Sequence, residues 1–140
     1  MDAARLTAIP IFSHLSAQET RRLAAFATET SVAAGQVLIR EGDYSVELIA
    51  IEEGTADVIH AGETIAALGP GDLIGEMGLL ERLPRSADVV ASSPMRLIKL
   101  THWEIRRMSR DTVSRIEQVI AQRREAGLGE HADAGGVEHR

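Results

Sequence analysis

Residues 31–100 are cut into short runs rich in valine and isoleucine, each closed by a break centred on glycine or proline. The runs fall at 36–40, 47–52, 55–60, 64–68, 72–75, 87–91 and 95–100, and the breaks at Gly35, Gly42-Asp43, Gly54, Gly62, Gly69-Pro70-Gly71 and Ser92-Ser93-Pro94. Runs of this length suit strands and are too short for stable helices, and glycine supplies the turns between them. Roughly seven or eight strands at such even spacing predict a mainly β domain, a small antiparallel sandwich or jelly roll.

Helical texture brackets this block. Over residues 3–27, Ser16 is followed three residues later by Glu19, the pattern of a capping box, and Leu23, Phe26 and Ala27 then recur at helical spacing. Upstream, Ile9-Pro10-Ile11-Phe12 and Leu15 form an apolar hook that must pack elsewhere. After Leu100, Trp103, Ile105 and Met108 mark a short helix. Asp111 is expected as the N-cap of a second helix, whose apolar stripe is Val113, Ile116, Val119 and Ile120 and which reaches about Ala126. Gly127-Leu128-Gly129 ends it. The 140 residues fit one domain with a single core, expected over 1–126. The polar, Gly- and Ala-rich stretch 127–140 has no periodicity and is expected to be a disordered tail.

Composition narrows the chemistry. The chain has no cysteine, which excludes disulfides, thiolate metal sites and cysteine nucleophiles. No basic patch leads into an apolar run at the N-terminus and no stretch approaches membrane-spanning length, so the expectation is a cytoplasmic protein with no membrane association. The net charge is −6. Residues 1–101 carry 8 basic and 14 acidic side chains, residues 102–126 carry 6 and 4, and the tail carries 1 and 3. An acidic body argues against phosphate-backbone binding as the main task. The basic last helix suits either an acidic partner or a solvated face.

Residues 71–91 read GDLIGEMGLLERLPRSADVVA. The segment begins as a strand, breaks at Gly75, carries a short apolar turn headed by Glu76, and returns through Pro84 and Arg85 into another strand. Glycine lets a backbone approach a ligand closely, free N–H groups at the start of a helical turn face negative charge, and arginine clamps phosphate oxygens. These are the parts of an anion cradle. Taken singly, Arg85 could pair with a neighbouring carboxylate, and Glu76 could be an N-terminal acid favoured by the helix dipole.

Element order and cassette together resemble the cyclic nucleotide-binding domain family, the sensing domain of catabolite activator-type regulators and of protein kinase A regulatory subunits. The family cassette reads approximately G-E-[LMI]-[AG]-L-[LF], a short linker, then R-[SAT]-A. Here those positions are Gly75, Glu76, Met77, Gly78, Leu79 and Leu80, then Arg85, Ser86 and Ala87. The resemblance spans about residues 11–126. It implies an eight-stranded antiparallel β-roll with an internal one-turn phosphate-binding helix, an N-terminal helix pair and two C-terminal helices. It also implies that Arg85 pairs with a cyclic phosphate, that the N–H groups of Gly78 and Ser86 complete the cradle, and that Glu76, helped by the Gly75 backbone, accepts from the ribose 2′-hydroxyl. Val58, Ile74 and Met77 are candidates for the apolar wall around the base, the alternative being plain core. Ile116, Val119, Ile120 or Arg123 would lid the base, unless that stripe packs against the roll or a second subunit.

The chain departs from the family at two positions. Where many relatives carry an acid that buttresses the cassette arginine stands Val46, with Glu47 beside it, and Asp88 stands where relatives often carry Thr, Ser or an aromatic residue. Strand alternation from Ala87 turns Asp88 outward.

The function expected is a sensor of cyclic AMP, with cyclic GMP as the other candidate ligand and no cofactor. The C-terminal helices would relay binding to an unidentified protein effector or a second subunit, with a homodimer through the last helix. The alternative is a degenerate fold that serves as an interaction or dimerisation module without ligand. A cupin-like enzyme would need clustered metal ligands, whereas His14, His60, His102, His131 and His139 are scattered, His60 has no near partner in sequence, and no Ser-His-Asp arrangement is legible. Nothing after Ala126 supplies a helix-turn-helix, so no direct DNA binding is expected.

Overall fold

The computed structural model describes residues 1–43, 47–74, 87–108 and 110–125, with side chains of the last helix described through Gln118 and at Ala121. Eight strands make two four-stranded antiparallel sheets: β1 (Thr28–Val32), β2 (Val37–Ile39), β3 (Glu47–Glu53), β4 (Ala56–His60), β5 (Glu63–Leu68), β6 (Leu73–Ile74), β7 (Asp88–Ala91) and β8 (Met95–Thr101). One sheet runs β1-β8-β3-β6 and the other β2-β7-β4-β5. Consecutive strands therefore fall in different sheets except for the β4–β5 hairpin, which stays within one. Helices α1 (Ala3–Thr7) and α2 (Ala17–Phe26) precede the roll, and α3 (His102–Arg106) and α4 (Arg110–Glu125) follow it. The mainly β class with an N-terminal helix pair and two C-terminal helices is thus observed.

Strand alternation builds the core. In the second sheet Ala56 faces Ala91 and Val58 faces Val89, all buried, while the intervening residues Asp57, Ile59, Asp88 and Val90 are half-buried on the other side. In the first sheet β3 and β8 pair from Glu47↔Thr101 to Glu53↔Arg96 and are buried on both faces, so that the consecutive residues Leu48 to Ile51, and Leu97 with Ile98, are all interior. Each such side chain contributes about 1.5–3 kcal/mol when fully buried. At Gly54 the turn needs glycine, because φ is +93° and a Cβ there would lie 2.3 Å from the Pro94 carbonyl oxygen.

The helical ends are fixed by their caps and by the hook. Ser16 and Glu19 form the expected capping box, with Ser16 N donating to Glu19 Oε1 at 2.9 Å and Glu19 N donating to Ser16 Oγ at 3.1 Å. Thr101 and Glu104 repeat the device at α3. The apolar hook folds as a 3-10 turn, Pro10–Phe12, that buries Ile11 and Phe12 completely and receives α4.

Two expectations need correction. Strand β1 is absent from the valine-rich runs, because Thr-Glu-Thr-Ser-Val is an edge strand with only Val32 buried and so carries almost no hydrophobic signal. Asp111 is not the cap of α4: the helix already includes Arg110, and Asp111 lies in its first turn, where its charge still favours the helix dipole. Trp103 and Ile105 lie on α3 as expected, Trp103 55% exposed and Ile105 buried, and the buried Met108 follows just past the end of the helix. The one-turn phosphate-binding helix, Val46 and the tail expected at 127–140 lie outside the described residues.

Candidate functional site

The cassette bridges the two sheets. Its entry is β6, an edge strand held to β3 by the pairs Ile49↔Ile74 and Ala50↔Leu73. Its exit is Ala87 and β7, an interior strand of the other sheet held between β2 and β4. Both ends are therefore anchored in the core, and the segment between them must cross from one sheet to the other.

Three of the nominated residues lie among those described. Val58, Ile74 and Ala87 are all fully buried. Val58 pairs with Val89 in register, and Ala87 stands two residues before Val89, so alternation puts both on the core side of their sheet. Gly75, Glu76, Met77, Gly78, Arg85 and Ser86 fall outside the described residues, so the phosphate, ribose and base contacts expected of them stay expectations. Of the lid candidates, Ile116 is fully buried on α4, which packs against the 3-10 turn. The side chains of Val119, Ile120 and Arg123 are outside the described set.

Asp88 faces away from the core, beside Ile59 on the outer side of its sheet. Its Oδ1 accepts from the Glu41 N–H at 2.7 Å, which ties the start of β7 to the turn after β2. Glu41 Oε1 in turn lies 3.6 Å from His60 Nδ1. His60 thus has a partner from a distant turn, which its sequence neighbourhood did not reveal. Among the described residues no group of three His, Asp or Glu side chains could hold a metal ion.

Two polar clusters were not foreseen. Arg5 of α1 donates to both oxygens of Glu52, at 2.8 and 2.6 Å, and lies 2.6 Å from Glu29; Arg96 reaches the same Glu29 at 3.3 Å. The Glu52 carboxyl is held below the usual carboxylate range, first by its hydrogen bonds with Arg5, and Arg5 is raised above its ordinary value, first by Glu52 and then by Glu29. A cleft of about 340 Å³ lies alongside, lined by residues including Arg5, Pro10, Glu52, Pro70 and Gly71. The second cluster is at Glu19. Its Oε2 accepts from the Thr112 hydroxyl and from Arg115 Nη2 at 3.1 Å, so one carboxylate both caps α2 and holds the first turns of α4. Glu19 too lies below the usual range, mainly because of Thr112 and then the Ser16 backbone. The partners are 93 and 96 residues apart, a distance over which no local pattern carries a signal.

Comparison with known proteins decides the family. The model of the cyclic nucleotide-binding domain matches residues 29–112, more than half of the chain and the whole cassette. The chain belongs to the cyclic nucleotide-binding domain family. It is 36% identical over 97 residues to a cAMP-dependent protein kinase regulatory subunit of Yarrowia lipolytica, an alignment covering 68% of this chain and 26% of the relative. The chain thus matches about a quarter of that relative's length. A crystal structure from Geobacter metallireducens GS-15 has the same fold, with TM-score 0.80, 21% identity and coverage of 91% and 98% of the two chains. The regulatory subunit of a cAMP-independent protein kinase A from Trypanosoma brucei is similar at TM-score 0.76 and 27% identity, over 87% of this chain and 44% of that one. No helix among the described residues is long and apolar enough to cross a membrane.

Proposed function

We propose that the protein is a cyclic AMP sensor whose ligand sits in the cassette at residues 75–87. The observation that carries this reading is the family match across 29–112, which contains Gly75-Glu76-Met77-Gly78-Leu79-Leu80 and Arg85-Ser86-Ala87 in family order. A cyclic phosphodiester carries one negative charge and two exocyclic oxygens. One arginine and a few directed N–H donors suffice for it, without a metal or cofactor. Arg85 pairs with the phosphate, Gly78 and Ser86 donate from the backbone, and Glu76 with the Gly75 backbone takes the ribose. Val58, Ile74, Met77 and Ala87 close the apolar side. The full burial of Val58, Ile74 and Ala87 supports a dry floor, where a charge-assisted hydrogen bond is strongest.

The choice of cyclic AMP over cyclic GMP rests on the relatives named as cAMP-dependent kinase regulatory subunits. The C-terminal helices relay binding to a protein effector or second subunit, by as much as the ligand's affinity differs between their two positions. Calorimetry with cyclic AMP and cyclic GMP tests the reading. Saturable heat with cyclic AMP is expected, and loss of Arg85 should weaken it at least about tenfold, from a bond worth ~1.5–3 kcal/mol. No heat and no thermal shift at millimolar nucleotide would sink it.

A second reading is a pocket that no longer takes cyclic AMP, on a module that acts through its surface. It is favoured by the likeness to the Trypanosoma brucei subunit described as cAMP-independent, together with the departure at Val46. An Arg85→Ala variant indistinguishable from the parent in every nucleotide titration would select it.

A further inference from the structure

The two ends of the molecule carry opposite charge. Residues 28–101 hold 5 basic and 12 acidic side chains, whereas 1–27 and 102–126 together hold 9 and 6. On the helical end the exposed arginines accompany two of the three large apolar side chains left exposed among the described residues, Trp103 at 55% and Phe26 at 44%.

These residues share one surface. At one end, Thr28 pairs with Lys99, so Phe26, just before β1, and Trp103, just after β8, leave the same end of the β1–β8 ladder. At the other end, Glu19 of α2 grips Thr112 and Arg115 of α4, and α2 packs against α3 in between. Glu19, Arg22 and Phe26 fall at i, i+3 and i+7, so Arg22 and Phe26 lie on the stripe of α2 that turns toward α3 and α4. On α3, Trp103 and Arg107 are four apart and also share a stripe. Each helix therefore presents an aromatic ring near the sheet and an exposed arginine one turn out, and Arg21 and Arg110 are exposed elsewhere on the same helical end. Among the described residues, none of these four arginines has an ion-pair partner.

We propose that this face docks an acidic segment of a partner protein, its carboxylates meeting Arg22 and Arg107 and its apolar anchors covering Phe26 and Trp103. A solvated helix face would account for the arginines but not for both aromatics. Tryptophan and arginine dominate the energetics of protein interfaces, and charge complementarity steers the encounter. A nucleic acid or an anionic membrane offers negative charge too. Either presents it as an extended surface to a protein of net charge −6 whose adjacent roll is strongly acidic, and repulsion then works against the few arginines available. A short acidic peptide meets only the basic end.

Trp103 is the single tryptophan, so its emission reports directly on this face. The probe is a synthetic amphipathic helical peptide with glutamate on one side and leucine on the other, with a short DNA duplex and phosphatidylserine vesicles as parallel arms. The expected result is a saturable blue shift of emission with the peptide, weakened by added salt and reduced at least about tenfold in affinity in the Arg22→Glu/Arg107→Glu variant. Cyclic nucleotide titration of that variant should match the parent, which separates failure of the docking face from failure of the nucleotide reading. No shift at millimolar peptide, equal binding by the charge-reversed variant, or stronger response to DNA or vesicles would overturn the proposal. Circular dichroism melting of the variant is expected to be unchanged, since both arginines are exposed.

Discussion

The roll and the helical end are held together in different ways. The roll is a set of neighbouring antiparallel ladders whose inner faces alternate into one core, so its stability is spread over many side chains of similar weight. The helical end depends on a few shared contacts. Phe12 and Ile11 of the 3-10 turn seat α4, and the Glu19 carboxylate serves α2 and α4 at once. A ladder tolerates local loss. A shared carboxylate or a single hook couples distant segments and loses them together, which suits the part of the molecule proposed to move and to meet a partner.

This contrast can be broken most forcefully at the hook. Phe12→Ala removes a fully buried ring and should destabilise the protein by ~3–5 kcal/mol, with α4 signals lost at lower denaturant than roll signals. Coincident loss in chemical denaturation would show that the two regions are one cooperative unit. Arg85→Ala sharpens the contrast from the other side, because it should abolish most nucleotide affinity while leaving the melting temperature close to that of the parent.

Glu19→Ala should cost ~1–3 kcal/mol, because Thr112, a residue 1% exposed, would lose its hydrogen bond to this carboxylate and α2 would lose half of its capping box. Hydrogen exchange should rise in the first turns of both α2 and α4; a rise in α2 alone would show that the tie to α4 carries little weight. The smallest effect expected is on pH. Glu19 and Glu52 both have folded values below the ordinary carboxylate value, so the stability they contribute is present above about pH 4.3 and is lost as pH falls through their folded values. Urea midpoints should therefore drop as pH falls below about 5, and drop less in a Glu19→Gln variant.

Much of the fold was legible before any coordinates. Seven of the eight strands sit on valine- and isoleucine-rich runs, and the capping box at Ser16 and Glu19 was readable because its partners are three residues apart. The strand that escaped, β1, is polar and lies at a sheet edge, where burial no longer selects apolar residues. For the candidate site the cassette residues and their order were readable as a linear motif. Val58 could be nominated only by resemblance, since a valine in a β-run looks the same whether it lines a pocket or fills a core.

By itself the chain determined the alternation of strands and turns, the exclusion of cysteine chemistry, the cassette at residues 75–87 and the family to which they belong, because each depends on neighbours a few residues apart. Tertiary structure decided the rest. Only the fold could bring Asp88 onto the Glu41 backbone, give His60 a carboxylate, link Glu19 to Thr112, and leave Trp103 and Phe26 exposed at the helical end. Those outcomes depend on which distant segments the two sheets and the helices bring into contact, and the hydrophobic pattern along the chain specifies burial without specifying the partner.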